Sequence, residues 1–498
     1  MTVHPLLYEV HSRQWLAELG VPTLDAVADE TLAELAGRGV THLWLMGAWA
    51  IGPRTRAHAL ADAGLRESYD LALPGWTDDD VRGSPYAIAD YQVAADLGGD
   101  RALAALRARL RRLGVGVILD FVPNHTGLDH GWLVTHPERF VSSAQPFADS
   151  FPSGGRFVAH GKDPYFPGWI DTAQLDYRRA STRAAMSDVL ASIAERCDGV
   201  RCDMAMLVLG DVFARTWQQV PAEDGGADAD APGEFWAEAI ARVRRTHGGF
   251  LFLAEAYWGL EGRLCDLGFD HAYDKELYDL VVHDRASDAQ PHLLGAGLGR
   301  EVARRAHFLE NHDEPRAAAT MSAEHHRAAA LLTLGLPGLR LLHHGQLTGA
   351  RRFARIQLGR RADEPADPAV VAIYEPLLAA LAASPAGKAD GQLLAPRRVW
   401  DDNPTADAFT VVQWQAPGVD DRFDLVVVNL AAHRSQCRVV PRVPGLAEHT
   451  WQLADRLGPE RWLRDGRELA TTGLFLDLPP RDAQLFAVRR ALASTVAE

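Results

Sequence analysis

The chain has 498 residues, of which 47% are hydrophobic and 23% charged, and its formal net charge is −15. This composition is that of a folded globular protein and excludes disorder as its main character. An acidic surface repels nucleic acid and anionic lipid, so we expect neither a nucleic acid nor a membrane as a partner. The length suggests two to four domains.

The N-terminal residues and the four cysteines indicate a location in the cell. No basic stretch followed by an apolar stretch opens the chain, which predicts that there is no signal peptide. No apolar run is long enough to cross a bilayer. The cysteines show no CxxC pair and no zinc spacing, and four in so long a chain do not make a disulfide framework. We therefore expect a reduced, cytoplasmic setting, in which small solutes are the available substrates.

Short apolar runs alternate with amphipathic helical stretches over the first three quarters of the chain. The predicted strands are residues 7–10, 42–46, 115–122, 199–203, 250–254, 269–273, 306–310 and 339–343. Strands separated by helices indicate a parallel sheet with crossover connections. Eight such strands predict a closed (β/α)8 TIM barrel, although an open doubly wound sheet has the same periodicity.

Three segments break this alternation. Residues 126–177 are rich in Gly, Pro and aromatic residues without a clear helix, which predicts a small subdomain inserted after the third strand. Residues 220–234 are acidic and rich in Gly and Ala, which predicts a mobile surface loop. Residues 391–498 hold short alternating runs between Pro, Gly and Asp, which predicts an all-β C-terminal domain, a β-sandwich. The barrel is then assigned to residues 1–125 and 178–385.

Four of the predicted strands end in polar residues that a buried parallel strand does not need. These endings are DFVPNH (Asp120 to His125), GVRCD (ending at Asp203), LAEAYW (with Glu255) and ENHD (Glu310 to Asp313). In a barrel, the C-terminal ends of the strands collect the catalytic groups. We therefore expect Asp203, Glu255 and Asp313 to converge with one arginine and two histidines.

In order and spacing, these motifs resemble the four conserved regions of the α-amylase family of retaining α-glycosidases and transglycosidases (glycoside hydrolase family 13-like). Each motif alone is weak, but four in order on the third, fourth, fifth and seventh strands are specific. Residues 84–91 (SPYAIADY) also resemble the family's segment with a tyrosine that stacks on the sugar. The resemblance implies a catalytic barrel, a domain protruding after the third strand and a β C-terminal domain.

The resemblance also implies roles for three carboxylates. Asp203 is expected to be the nucleophile, kept ionised by Arg201 two residues earlier on the same face of the strand. Glu255 is expected to be the general acid/base, with a pKa raised by burial and by nearby carboxylates. Asp313 is expected to bind sugar hydroxyls and to favour the oxocarbenium-like transition state. Two carboxylates about 5 Å apart imply net retention through a covalent glycosyl-enzyme.

Substrate binding is assigned by the same comparison to Tyr86, Asp120, His125, Arg201 and His312. Tyr86 is expected to stack on the sugar, and the two histidines to hydrogen-bond to hydroxyls of the same ring. Taken singly, an Arg-x-Asp on a strand is usually a structural ion pair, and a lone His or Tyr is more often a core residue. Their joint occurrence with the carboxylates favours catalysis over these separate explanations.

The sequence departs from the family pattern at three places. Many amylases have a Lys-His pair shortly after the nucleophile, whose His supplies a backbone ligand to calcium. Here the run after Asp203 is Met-Ala-Met-Leu (204–207), and no acidic calcium loop follows the first strand. We therefore expect no required metal and no cofactor, although Asn124, which that calcium site usually uses, is present. Met204 also matches neither residue common at this position in glucosidases, so the linkage stays open. Gln346 stands where a glutamate is usual.

The run DEPR after His312 resembles the oligosaccharide-acting glucosidases and transglucosidases of the family. The sequence therefore predicts a retaining hydrolase of α-glucosidic bonds, with small α-glucosides or malto-oligosaccharides as substrates rather than starch. An α-glucosyltransferase, in which a sugar hydroxyl replaces water, shares the chemistry up to the covalent intermediate and stays open. A non-catalytic sugar-binding relative is disfavoured, because such a module does not need all three carboxylates and Arg201. The aromatic residues of 126–177 either close the barrel mouth or form the core of that subdomain.

Overall fold

The computed structural model describes residues 4–220, 234–295 and 301–491. Eight parallel strands form a closed barrel, in which the first strand pairs with both the second and the eighth. In chain order the barrel strands are Leu6–His11, His42–Met46, Gly116–Phe121, Gly199–Cys202, Leu251–Ala254, His271–Tyr273, Arg305–His307 and Leu339–His343. The predicted TIM barrel is thus confirmed, and the open sheet is excluded. Apart from its two end residues, the predicted loop 220–234 lies outside the described residues.

The barrel closes because its strands are apolar on both faces. Side chains alternate along a strand, so one set fills the interior and the other meets the surrounding helices. Leu7, Trp44 and Ile118 belong to the interior cluster, whereas Val10 and Leu43 pack in the layer beneath the helices. The helices around the barrel are Ser12–Leu19, Asp29–Gly37, Pro53–Ala61, Ala63–Ala72, Gly99–Arg112, Ala180–Ala194, Gly210–Thr216, Phe235–Thr246, Glu261–Asp266, Lys275–Val282, Ala286–Gly295, Ala317–Thr320, Ala323–Gly335 and Pro368–Ala382.

Two connections at the C-terminal end of the barrel carry extra structure. After the third strand, a small subdomain contains a two-stranded sheet, a three-stranded sheet and one short helix. Its elements are His125–Gly127 paired with Thr172–Gln174, the strands Ser142–Ser143, Ser150–Ser153 and Arg156–Ala159, and the helix Trp132–Thr135. This subdomain was predicted. The connection after the second strand holds the antiparallel pair Trp49–Ile51 and Ile88–Val93 together with two helices, 53–61 and 63–72, which the sequence pattern did not predict.

The C-terminal part is built of antiparallel strands, as predicted. A six-stranded sheet consists, in spatial order, of Asp390–Leu394, Phe409–Gln415, Arg422–Asn429, Ala483–Arg490, Thr450–Asp455 and Arg461–Asp465, and Ser435–Val439 pairs with Leu474–Leu478. Both sheets contribute to one apolar cluster, and one short helix, Gly466–Thr471, interrupts the β structure. The six-stranded sheet packs on the barrel at Gly335, where a Cβ atom would lie 2.7 Å from a methyl of Val426. Among the described residues, no helix has the length and apolar composition that a bilayer crossing requires.

Candidate active site

A cavity of about 620 Å³ opens at the C-terminal ends of the barrel strands. Asp203, Glu255 and Asp313 all line it, together with Tyr86 and His125. The other lining residues are His58, Ala59, Asp62, Leu65, Ser84, Gly168, Trp169, Ile170, Asp171, Thr172, Met204, Tyr257, Ile356 and Gln357. The structure therefore brings together the three carboxylates that the sequence singled out.

The backbone ladder of the barrel places Asp203 and Glu255 side by side. The N–H of Asp203 donates to Phe121 O at 2.9 Å, and the N–H of Glu255 donates to Cys202 O at 3.0 Å. Each carboxylate is thus one residue beyond the end of its strand. Met204, the next residue, has a φ of 43°, a left-handed conformation that costs a non-glycine residue about 1–2 kcal/mol. This turn directs the Met204 N–H to Glu255 Oε2 at 2.6 Å.

Arg201 lies beneath the cavity floor between these two carboxylates. Its Nη1 donates to Asp203 Oδ1 at 2.7 Å, and its Nη2 lies 2.8 Å from Glu255 Oε2 without hydrogen-bond geometry. Its Nε donates to the Tyr273 hydroxyl at 3.3 Å. The guanidinium is completely buried, so the attraction of both carboxylates offsets the cost of removing its charge from water.

Burial and charge push the two carboxyl pKa values upward. Burial, together with the charges of Asp203 and Asp313, raises the pKa of Glu255 to about 7 against the opposing effect of Arg201. Burial also raises the pKa of Asp203, and the charge and hydrogen bond of Arg201 oppose this rise. A carboxyl group that titrates near neutral pH is suited to donate a proton in one step and accept one in the next.

Asp313 and Tyr86 meet at the ring of His312. His312 Nε2 lies 3.0 Å from Asp313 Oδ2 and 2.7 Å from the Tyr86 hydroxyl. The Tyr86 and His312 rings are stacked, with centroids 5.5 Å apart. Burial raises the pKa of Asp313, but the charge and hydrogen bond of His312 outweigh it and hold that pKa below its ordinary value. The Asp313 side chain is 45% exposed and reaches into the cavity.

Residues 75–278 match the family model described as the catalytic domain of alpha amylase. This span begins in the connection after the second barrel strand and includes Asp120, Arg201, Asp203 and Glu255. This part of the chain resembles the catalytic domain of the α-amylase family.

Curated relatives and solved structures agree with this assignment. The α-amylase MalA of Haloarcula japonica is 25% identical over 398 residues, which cover 78% of this chain and 50% of that relative. A 1,4-α-glucan branching enzyme of Novosphingobium aromaticivorans is 24% identical over 257 residues, which cover 50% of this chain and 30% of the enzyme. The chain thus spans half or less of the length of these two relatives.

Two crystal structures share the fold along nearly the whole chain. The maltogenic α-amylase AmyB of Thermotoga neapolitana superposes with a TM-score of 0.67 at 18% identity, covering 98% of this chain and 99% of its own. The Geobacillus thermoleovorans α-amylase in complex with acarbose superposes with a TM-score of 0.66 at 18% identity, covering 99% of this chain and 100% of its own. At these identities the likeness concerns the fold.

Three residues assigned to substrate binding lie under the floor of this cavity and do not line it. They are Asp120, Arg201 and His312. The Asp120 carboxylate accepts from Trp44 Nε1 at 3.1 Å and from the Gly47 N–H at 3.0 Å, and burial raises its pKa to about 7. His125 does line the cavity, with its ring 5.2 Å from that of Trp169. The sugar contacts of all these residues stay predictions.

Two polar residues near the carboxylates were missed by the sequence analysis. Tyr257, two residues after the proposed acid, donates its hydroxyl to Glu255 Oε1 at 2.7 Å. Glu9 on the first barrel strand accepts from His312 Nδ1 at 2.5 Å. A signal for Glu9 was present, because it is a lone acidic residue in the otherwise apolar run LLYEV.

Two of the residues used to compare this chain with branches of the family, Arg316 and Gln346, do not line the cavity. Arg316 of the DEPR run donates to Glu310 Oε1 at 2.7 Å, and both side chains are buried. Gln346 bonds the backbone of His343 and the Tyr374 hydroxyl. Their positions hold the connections after the seventh and eighth strands in place.

The described residues contain no group of three or more His, Cys, Asp or Glu side chains placed to hold a metal ion. The side-chain oxygen of Asn124 accepts a hydrogen bond from Gln174 Nε2 at 2.9 Å. Asn124 therefore ties the subdomain strand at 172–174 to the end of the third barrel strand.

Proposed function

We propose that this chain is a retaining α-glycosidase that removes terminal sugars from short α-glucosides and malto-oligosaccharides. The observation that carries the proposal is the contact of Asp203 and Glu255 with one guanidinium, that of Arg201, at 2.7 and 2.8 Å. Two carboxyl groups on the same guanidinium are close together, which favours the retaining spacing of about 5 Å over the inverting spacing of about 6.5–9.5 Å.

The chemistry follows from the environments of the two groups. Asp203 attacks the anomeric carbon while Glu255 transfers its proton to the departing glycosidic oxygen, so that a covalent glycosyl-enzyme and a free alcohol form. Glu255, now ionised, accepts a proton from water as the water oxygen attacks the anomeric carbon and releases Asp203. A pKa near 7 suits Glu255 for both steps at neutral pH.

The walls of the cavity support a preference for chain ends. Residues 168–172 of the inserted subdomain form one wall, and His58, Asp62 and Leu65 of the connection after the second strand form another. Ile356 and Gln357, after the eighth strand, also line it. A cavity of about 620 Å³ lies within the roughly 300–1,000 Å³ of small-molecule sites.

The test compares kcat/KM on di- to tetrasaccharides with kcat/KM on soluble starch, with a maltoheptaoside blocked at its non-reducing end as the endo control. Chromatography of products from maltose, trehalose, sucrose, isomaltose and maltotetraose identifies the linkage. We expect the short substrates to be favoured and the blocked one to resist. Efficient cleavage of the blocked substrate would mean that chains pass through an open cleft, and the end-acting assignment would be wrong.

An α-glucosyltransferase is the second candidate, and exposed aromatic residues close in sequence to the cavity lining favour it. Tyr165 and Phe166 of the subdomain are 64% and 69% exposed, and Trp258 is 40% exposed one residue after Tyr257. The Tyr165 and Trp258 rings lie edge to face with centroids 5.0 Å apart. Exposed aromatic rings beside the proposed acid offer an apolar surface to the sugar ring of an acceptor. Products longer than the substrate would identify this activity.

A further inference from the structure

One buried carboxylate of the barrel interior has no part in the mechanism above. Glu9 lies on the first barrel strand, in register with Trp44 on the second and His343 on the eighth. Its side chain is completely buried, on the same side of the strand as Leu7 of the apolar interior. Burying an unpaired charge is strongly unfavourable, so a carboxylate at this position needs a partner of opposite charge.

That partner is the imidazole of His312. Glu9 Oε1 accepts from His312 Nδ1 at 2.5 Å, and among the described residues Oε2 has no hydrogen-bond partner. On the other side of the ring, Nε2 lies 3.0 Å from Asp313 Oδ2. Glu9 and Asp313 therefore sit at opposite nitrogens of one buried ring, and of the two only Asp313 lines the cavity.

Two carboxylates at the two nitrogens select the imidazolium form of this ring. An ionised carboxylate only accepts hydrogen bonds, so both nitrogens must carry a proton for the ring to donate to Glu9 and Asp313 together, and the Tyr86 hydroxyl, 2.7 Å from Nε2, then accepts from the same N–H. A neutral ring can donate to one of them. Burial lowers the pKa of His312, but the charges of Asp313 and Glu9 outweigh burial and hold this pKa well above its ordinary value.

Titratable and charged groups from every neighbouring element act on the Glu9–His312 pair. They are His11 on the first strand, Tyr86 after the second, Asp120 on the third, Arg201 on the fourth and Asp203 after it, Tyr273 on the sixth, Asp313 after the seventh and His343 on the eighth. The positive charge of Arg201 disfavours a second cation nearby. The negative charges of Glu9 and Asp313, which contact the His312 ring directly, outweigh this effect and keep the ring protonated.

We propose that Glu9 is a positioning residue, which holds His312 as an imidazolium in one orientation so that Nε2–H faces Asp313 and the sugar hydroxyl bound beside it. This inference rests on the proposed function, since it requires a sugar over Asp313. Without the charge of Glu9, the ring loses its proton within the working pH range and is free to turn.

The test measures pH profiles of three variants. Glu9→Gln keeps the shape and removes the charge, Glu9→Asp keeps the charge on a shorter side chain, and Glu310→Gln is the control. Glu310 is equally buried but bonds Arg316 and the Ala317 N–H rather than His312. Glu9→Gln should lower kcat about 10–100-fold with a smaller change in KM. Its alkaline limb should move to lower pH, because a ring with a lower pKa becomes neutral earlier as the pH rises.

The controls separate positioning from packing. Glu9→Asp should restore part of the pH profile, and Glu310→Gln should lower Tm while its pH profile stays that of the wild type. On a His312→Asn background, Glu9→Gln should have no further effect on kcat for an activated aryl α-glucoside. The proposal would be overturned if Glu9→Gln left the pH profile unchanged. It would also be overturned if Glu9→Gln lowered kcat as much on the His312→Asn background as it does in the wild type. If Glu9→Gln does not fold, the same two measurements are made on Glu9→Asp. A shifted pH profile, and no further loss of kcat on the His312→Asn background, would then support the proposal, and the opposite results would overturn it.

Failure of the proposed function gives a different result. A wild-type chain without activity on any α-glucoside, or an Asp203→Asn variant as active as the wild type, would overturn the glycosidase assignment itself. An active wild type and an inactive Asp203→Asn variant, together with an unmoved Glu9→Gln profile, would overturn only the role of Glu9.

Discussion

Arg201 gives two neighbouring carboxylates different tasks. Asp203 receives a direct hydrogen bond from Nη1, whereas Glu255 faces Nη2 at 2.8 Å and takes its hydrogen bonds from the Met204 N–H and the Tyr257 hydroxyl. A single guanidinium charge cannot neutralise both groups, so one of them retains a proton near neutral pH. When their environments give two neighbouring carboxyl groups different pKa values, one can act as the acid and the other as the nucleophile.

Replacement of Asp203 by Asn should abolish turnover. An amide cannot act as the nucleophile, so kcat should fall by at least about 10³-fold while the fold is retained. Steady-state kinetics and circular dichroism measure the two effects. Asp176→Asn is the matched control, because Asp176 is another buried aspartate paired with an arginine, Arg178, and does not line the cavity. A variant at position 203 that retains a tenth of the activity would remove this residue from the mechanism.

Glu255→Gln should affect substrates according to their leaving groups. Maltose needs a proton on the departing oxygen, whereas an activated aryl glycoside does not, so the loss of kcat/KM should be far larger for maltose. In the wild type, kcat/KM should fall above about pH 7, because the acid loses its proton there. Equal losses on both substrates would assign the acid to another residue.

Tyr257→Phe tests the hydrogen bond to the proposed acid. The Tyr257 hydroxyl donates to Glu255 Oε1 and so favours the ionised carboxylate. Its removal should raise the pKa of Glu255 and move the alkaline limb of the pH–rate profile to higher pH. Trp400→Phe, at an exposed site in the C-terminal part, is the control. A limb that stays in place or moves to lower pH would contradict this effect.

At the scale of elements, two long connections decide what reaches the carboxylates. The helices at 53–61 and 63–72 and the segment 168–172 stand over the C-terminal end of the barrel and supply its walls. The aromatic residues of the inserted subdomain divide between two uses. Phe140 is buried in the apolar cluster that the subdomain shares with the barrel, whereas Tyr165 and Phe166 are exposed, a few residues before the cavity-lining Gly168 and Trp169.

Removing the exposed aromatic pair should change the fate of the glycosyl-enzyme. Trp258→Ala, alone and with Tyr165→Ala, should lower the ratio of transfer products to hydrolysis products, because an acceptor sugar loses an apolar surface while water does not. Chromatography at high maltose concentration measures the ratio. Val134→Ala, at an exposed apolar residue elsewhere in the subdomain, is the control. An unchanged ratio would mean that the pair does not bind acceptors.

For the whole molecule, buried histidines set the response to acid. Burial lowers the pKa of five of them to about 4 and that of His271 to about 3; the five are His4, His11, His42, His125 and His130. An unfolded chain binds protons at these side chains below about pH 6.5. His312 and His292 have raised pKa values and act in the opposite sense.

Stability should therefore fall as the pH decreases from about 6.5 to about 4, since the unfolded chain takes up more protons than the folded one over that range. Each buried neutral histidine contributes up to about 1.4 kcal/mol per pH unit. Urea unfolding at pH 7, 6 and 5 measures how the free energy of unfolding depends on pH. The variant His42→Gln, away from the cavity, should reduce this dependence by the contribution of about one proton. A free energy of unfolding that is constant between pH 7 and 5 would contradict this account.

The barrel and the convergence of the candidate catalytic residues were predictable because they depend on local signals. Apolar runs alternating with amphipathic helices specify parallel strands, and polar residues directly after such runs must come together at one end of a closed barrel. Seven of the eight predicted strands coincide with the observed ones to within two residues at each end, whereas of the predicted strand 306–310 only residues 306 and 307 lie in the observed strand Arg305–His307. The helices at 53–61 and 63–72 were missed: the first has little apolar periodicity, and the second buries only Tyr69 and Ala72.

The sequence by itself determined the fold class, the inserted subdomain, the β-rich C-terminal part and the convergence of Asp203, Glu255 and Asp313. Only the tertiary structure decided which partners those residues have. Glu9 and His312 are 303 residues apart in the chain, and no local pattern pairs them. Closure of the barrel brings the first and seventh strands near each other across its interior, where low polarity makes the pairing of buried charges obligatory. The balance of charges in the site is therefore a property of the closed barrel.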